Sequence, residues 1–167
     1  MGAQIVILGA GERRYEAGLR QARRNFPDNV AVEVGYSEPL SHLIEAGADM
    51  FLMPSRFEPC GLNQIYSLRY GTIPIVRRTG GLNDTVVDAS PDHLALDTAT
   101  GVVFEHSTVP ALVHAVARAI ELYRQPQLWR QLQRAGMRQD YSWARSAEHY
   151  RSIYTQVQRL KSPLSLL

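Results

Sequence analysis

The chain has 167 residues, 45% of them hydrophobic, with 18 basic and 16 acidic side chains, enough for one domain with a core of its own. A formal charge of +2 gives no strong field for a polyanion, which argues against a nucleic-acid partner, and no run approaches the roughly 18–20 apolar residues of a membrane span. The single cysteine, Cys60, rules out an internal disulfide and fits a reducing compartment. Lys161 is the one lysine; arginine suits bidentate contacts with anions, though a GC-rich genome gives the same bias.

Met1-Gly2-Ala3 leads directly into the apolar run Gln4-Ile5-Val6-Ile7-Leu8, which predicts a buried strand and no signal peptide. Val6 stands where a myristoylation signal needs Ser or Thr. Gly9-Ala10-Gly11 turns the chain into an amphipathic helix over Glu12 to Arg24, with Tyr15, Leu19 and Ala22 on its apolar side. Val30–Val34 is a second strand. Ser37 caps a helix over Pro39 to Ala46. Met50–Met53 is a third strand, stopped by Pro54, and Leu62 to Tyr70 is a helix. Ile73–Val76 is a fourth strand, where Pro74 removes a ladder hydrogen bond and so suggests a strand start or a sheet edge. Asp88 to Thr100 reads as a polar loop, and Gly101–Phe104 as a fifth strand. Helices follow over Val109 to Tyr123 and Gln127 to Gly136, and Ser142 caps a last one running to about Lys161.

Short apolar strands alternating with helices predict a parallel sheet covered on both faces. In such sheets ligands bind beyond the carboxyl ends of the strands. Gly9-Ala10-Gly11, Tyr36, the Glu58 loop and Thr79-Gly80-Gly81 all follow strands directly and so share one edge. Gly9-Ala10-Gly11 lacks the third glycine of a dinucleotide fingerprint and is weak by itself. The segment Pro54-Ser55-Arg56-Phe57-Glu58-Pro59-Cys60-Gly61-Leu62 carries more. It presents one carboxylate on a turn, then a glycine, then a helix start, whose unpaired amides and positive dipole end suit a phosphate. Thr79-Gly80-Gly81 repeats the arrangement one strand later, and the two loops together suggest a nucleotide-linked substrate. Arg77 and Arg78 face either solvent or the cleft. Cys60 has no His or Cys partner nearby in sequence, which argues against metal binding and thiol catalysis. His42, His93, His106, His114 and His149 show no ligand spacing and read as structural or exposed.

Gly35-Tyr36-Ser37-Glu38, Ala46-Gly47-Ala48-Asp49, Pro54 to Gln64, Leu68-Arg69-Tyr70-Gly71-Thr72, Arg77 to Val86, Ala99-Thr100-Gly101 and Asp140-Tyr141-Ser142-Trp143 together resemble bacterial glycogen synthases and plant starch synthases. The string around Glu58 and Cys60 is the most specific part of the match, which runs over about residues 4 to 155. The resemblance implies a GT-B glycosyltransferase of two Rossmann-like domains, of which this chain is the C-terminal, donor-binding one, N-terminally truncated. Residues 1–140 would form a partial Rossmann-like nucleotide-sugar-binding domain. Residues 141–167 would form a helix and tail that cross towards an absent N-terminal domain. The family's opening strand and helix, with the Arg and Lys that grip the donor phosphates, have no counterpart here.

What the resemblance implies of function is retaining transfer of glucose from ADP-glucose to the non-reducing end of an α-1,4-glucan, with no cofactor or metal, in the cytoplasm or, for a plant protein, the plastid. Glu58 would be the catalytic residue, holding donor hydroxyls and charge near the anomeric carbon. Substrate-binding positions would be Tyr36 (stacked on adenine), Cys60, the amides of Gly61, Leu62 and Asn63, Tyr66, and the Thr79, Gly80, Gly81 loop. Many related transferases carry a second acid eight residues after the first. Here that residue is Tyr66, so no carboxylate pair for double displacement is visible. The implied alternative is front-face transfer in which the leaving phosphate helps deprotonate the acceptor. The chain alone would transfer little glucose. Alternatives are a non-catalytic nucleotide-sugar or glucan-binding module, or one half of a split glycosyltransferase. In the last helix Trp143, Ala144, Ala147, Tyr150, Ile153, Tyr154 and Val157 form one apolar face, expected to meet the absent domain or to drive self-association.

Overall fold

A computed structural model describes residues 2–161; residues 162–167 of the expected C-terminal tail lie outside the described residues. The elements run β1 (Ile5–Gly9), α1 (Arg13–Asn25), β2 (Val30–Val34), α2 (Glu38–Gly47), β3 (Met50–Met53), α3 (Asn63–Tyr70), β4 (Ile73–Arg77), α4 (Gly80–Thr85), α5 (Pro91–Ala95), β5 (Val102–Phe104), α6 (Val109–Tyr123), α7 (Pro126–Met137) and α8 (Trp143–Lys161). All strand pairings are parallel, and each strand leads through a helix to the next or nearly so. The fold is therefore the α/β, Rossmann-like class that the alternating pattern predicts.

The strands divide into two sheets. One is β1–β2, the other β3–β4–β5. The core lies in the second. β4 is buried from Ile73 to Val76 and β5 along its whole length. The two-residue period of a strand sends Ile73, Ile75, Val102 and Phe104 towards Ala115, Ala119 and Leu122 of α6 and Trp129 and Leu132 of α7. It sends Val76 and Val103 to the other face, against Leu82 and Val86. The first sheet is thinly covered: among residues 2–50 only Val32 and Glu45 are buried. Ile5 and Val6 are 52% and 55% exposed, contrary to the buried strand that their sequence predicts. Among the described residues β1 pairs only with β2, and no residue of β1 belongs to either core cluster, so neither of its faces is packed on the core. α2 joins the two parts by packing on α3, and the Thr72 hydroxyl donates to the Glu45 carbonyl oxygen (2.6 Å).

Several local expectations are corrected. Pro74 lies at a strand start, as its missing N–H suggests, but in the central strand β4 and not at an edge. It pairs with Phe51 of β3, and the pairing of β4 with β5 begins one residue later, at Ile75–Val102. The polar stretch 88–100 contains the short helix α5, opened by Ser90, whose hydroxyl accepts from the His93 amide (3.3 Å), and by Pro91 at the first turn. The Thr79 loop closes at once into α4, with Thr79 as its N-cap residue; two glycines at a helix start hide it from propensity reasoning. The capping serines 37 and 142 act as expected, accepting from the amides of Leu40 and Arg145 (both 3.4 Å).

Candidate functional site

The loops after β3 and β4 meet at one sheet edge and are stitched together by backbone. The Gly81 amide donates to the Pro59 carbonyl oxygen (3.0 Å). A Cβ on Gly80 would overlap the Glu58 carbonyl, and one on Gly81 the Cys60 carbonyl. Both positions therefore need glycine for close approach of two chains. The Arg77 guanidinium leaves the end of β4 and donates to the carbonyl oxygens of Ser55 (2.7 Å, from Nε) and Arg56 (2.5 Å), which holds the upstream arm of the Glu58 loop. Arg78 pairs with Glu105 (2.5 Å) and donates to Asn83 Oδ1 (2.9 Å). Both arginines are thus engaged within the protein.

The loop turns into α3 at Gly61, in the left-handed region at φ 73°, where any side chain would be strained. Beyond it the amides of Leu62, Asn63 and Gln64 have no acceptor among the described residues. They form the free positive end of an eight-residue helix. Glu58 stands three residues before Gly61, half-buried, and no ion pair among the described residues involves it. Cys60 is exposed. Glu58, Cys60, Gly61, Leu62, Asn63, Thr79, Gly80 and Gly81 are therefore gathered at one place by the contact of these two loops. Gly81, however, is buried with its amide bound to Pro59, so that amide is not free for a ligand.

The two aromatic candidates lie apart from this contact. Tyr36 follows β2, in the other sheet, and is 88% exposed. Tyr66 lies on the second turn of α3 with its ring 5.5 Å from that of His42. It lines a shallow cavity with Arg69, Gln139, Asp140 and Tyr141. Two backbone and side-chain hydrogen bonds from Ser142 hold the Asp140 carboxyl below its usual range, and burial pushes the Tyr141 phenol up. The Tyr141 hydroxyl donates to the Thr85 carbonyl oxygen at the end of α4 (2.7 Å).

Sequence reasoning missed Arg77 as a loop anchor, and it missed Gln64, Thr85 and Tyr141. Gln64 follows Cys60 by four residues, the spacing at which a side chain at a helix start lies over the chain entering it. That was a usable signal.

No helix among the described residues is long and apolar enough to cross a membrane. Comparison with known proteins places the site in context. Residues 2–136 match the family described as Glycosyl transferases group 1. The chain is 57% identical over 152 residues to a glycogen synthase of Thioalkalivibrio sulfidiphilus, covering 91% of this chain and 32% of that protein. It is 54% identical over 154 residues to glycogen synthase 1 of Methylococcus capsulatus, covering 92% and 31%. The chain thus spans about a third of the length of the curated relatives it matches. Among solved structures it is similar to the catalytic domain of starch synthase IV from Arabidopsis thaliana bound to ADP and acarbose, with a TM-score of 0.81 and 36% identity, covering 93% of this chain and 32% of that one. A sucrose-phosphate synthase from Thermosynechococcus elongatus shares the fold at a TM-score of 0.65 and 23% identity, covering 95% of this chain and 39% of that one. By its fold, by the paired loops at the carboxyl ends of β3 and β4, and by the match over residues 2–136, the chain belongs to the glycosyl transferases of group 1.

Proposed function

We propose that this chain is the donor-binding part of a cytoplasmic glycogen synthase, an enzyme that transfers glucose from ADP-glucose to the non-reducing end of an α-1,4-glucan with retention of configuration. The observation that carries the reading is the joined pair of loops, with the unpaired Glu58 carboxylate on one side and the free amides of Leu62 and Asn63 on the other. A diphosphate seated on those amides would gain from the helix dipole. It would place an attached sugar by Glu58, whose carboxylate accepts hydrogen bonds from sugar hydroxyls and stabilises positive charge developing at the anomeric carbon. Tyr36 would stack on the base, Cys60 and Tyr66 would border the sugar side, and the Thr79–Gly81 turn would close the pocket. With no second carboxylate at Tyr66, the leaving phosphate would take the acceptor proton on the same face. No cofactor or metal enters this scheme.

Similarity at 49–57% identity to glycogen synthases, and likeness to a starch synthase solved with ADP and acarbose, support the choice of donor and acceptor. Because the chain spans about a third of those relatives, the acceptor side would come from another part of the protein, or from a separate chain in a split enzyme. The exposed face of α8 would meet that part or a second copy.

The test is calorimetry of this chain with ADP-glucose, beside UDP-glucose and a Glu58→Ala variant. Saturable binding that prefers ADP-glucose and weakens in the variant is expected. A folded chain that takes up no ADP-glucose at millimolar concentration would overturn the reading.

A further inference from the structure

We infer that Gln64 is a positioning residue whose buried amide clamps the Glu58 loop to Thr85 at the end of α4, and through the Thr85 hydroxyl to Gly81 at its start, and so sets the spacing of the two loops. The inference rests on the reading above, that these loops hold the donor. Gln64 is fully buried although polar. Its Nε2 lies 3.0 Å from the Cys60 carbonyl oxygen, 3.1 Å from that of Gly61 and 3.2 Å from Thr85 Oγ1. The Thr85 hydroxyl donates its own proton to the Gly81 carbonyl oxygen (2.6 Å), so towards Gln64 it can only accept. Carbonyl oxygens accept as well. Three acceptors converge on one nitrogen, which fixes the amide with its NH2 group towards them.

The other end of the amide shows that this arrangement has a cost. Gln64 Oε1 is buried without a partner, tucked beneath Gly61, where a Cβ would come 2.5 Å from it. A buried acceptor left unpaired is destabilising. A side chain needed only to fill space would be apolar and carry no such penalty. What the polar side chain supplies is a link from the Cys60–Gly61 turn, through Gln64, to Thr85, 21 residues beyond Gln64, and on to Gly81. The Gly81 amide then returns to Pro59, which closes a ring of hydrogen bonds around the contact. Removing the NH2 group opens that ring at its centre and leaves Glu58 and the free helix amides at a variable separation.

The experiment follows amide hydrogen exchange by NMR on the full chain. Gln64→Met keeps the length and removes the donors, Thr85→Val removes the hydroxyl, and Thr85→Ser keeps it. The Gly81 amide is expected to exchange about tenfold faster in Gln64→Met and Thr85→Val, stay near the parent rate in Thr85→Ser, and leave β4 and β5 amides unchanged. Unchanged Gly81 protection in a folded Gln64→Met overturns the clamp. If that variant loses β4 and β5 protection, equal Gly81 rates in Thr85→Val and Thr85→Ser overturn it instead. ADP-glucose affinity is expected to fall about tenfold in the two disrupting variants, with Thr85→Ser near the parent. Faster exchange with unaltered affinity overturns the positioning role. A parent chain that takes up no ADP-glucose sinks the donor reading, and the clamp then stands or falls on exchange alone.

Discussion

Gly81 packs so closely on Cys60 that the smallest side chain has no room, and this makes it the most sensitive position at the loop contact. Gly81→Ala must push backbone against backbone, with no flexible side chain to yield, and break the Gly81 to Pro59 hydrogen bond. A loss of about 2–3 kcal/mol is expected, read as a lower urea midpoint at unchanged slope; a midpoint equal to the parent's would refute the close approach. Glu45 gives a second prediction. Burial pushes its carboxyl up from the ordinary value of 4.5, His42 acts in the opposite sense, and Oε2 is buried without a partner. The fold therefore prefers the protonated form. That stabilisation is complete below about pH 4.5 and is lost as pH rises through the elevated folded value. Glu45→Gln, always neutral, is expected to be more stable than the parent at about pH 8, with the advantage gone by about pH 4. Denaturation across that range checks it, and an advantage independent of pH would overturn it. Residue identity was readable from sequence where backbone geometry demands it. Gly61, Gly80 and Gly81 stood out because few other reasons place glycines after strands. Gln64 and Glu45 did not, because burial of a polar side chain is decided by contacts made across the fold.

Helix α8 is the element with least holding it. Every residue from 143 to 160 is exposed except the half-buried Ser146. Trp143 is 87% exposed, and Tyr150, Ile153 and Tyr154 are more than half exposed. In proteins most helical stability comes from packing of an apolar face, so the 19-residue α8 must draw much of its stability from whatever covers the stripe Trp143, Ala147, Tyr150, Tyr154, Val157. Ending the chain after Ser142 is expected to change unfolding free energy by less than about 0.5 kcal/mol, since no core contact is lost. A larger loss would show that α8 packs on the body. If the stripe pairs with a second copy, sedimentation will show a concentration-dependent mass for the full chain that disappears in the shortened one. A full chain that stays monomeric at the highest soluble concentration would refute the pairing. The apolar stripe of α8 was legible because helical period survives whatever the helix touches. The short helices α4 and α5 were not, because five or six residues are too few to display a period, and only the Ser90-Pro91 start gave α5 away in retrospect.

For the whole molecule, the uneven core implies uneven stability. The alternation of short apolar strands and helices made the parallel α/β class legible. The division into two sheets was not, because strand neighbours depend on which edges find partners, and Gln4–Leu8 reads the same whether or not a strand lies beside it. The result is one part, β3 to α7, with a core on both faces of its sheet, and another, β1 to β2 with α1, in which Val32 is the one buried side chain among the described residues. α1 has no buried residue at all. The part from β1 to β2 should therefore open at a much lower free energy than the part from β3 to α7. Native-state hydrogen exchange is expected to show β1 and β2 amides opening at least about 2 kcal/mol more easily than those of β4 and β5, with the two groups converging only as denaturant approaches global unfolding. Equal opening energies would mean that α2, through its contact with α3 and the Thr72 to Glu45 bond, couples the two sheets into one cooperative unit. The distinction bears on function because the proposed site draws on both parts. The Glu58 and Gly81 loops sit on the stable sheet, whereas Tyr36 follows β2 on the labile one. If the sheets open independently, the diphosphate half of the site is preorganised and the base-stacking half is ordered on binding. ADP should then raise protection in β1 and β2 more than in β4 and β5.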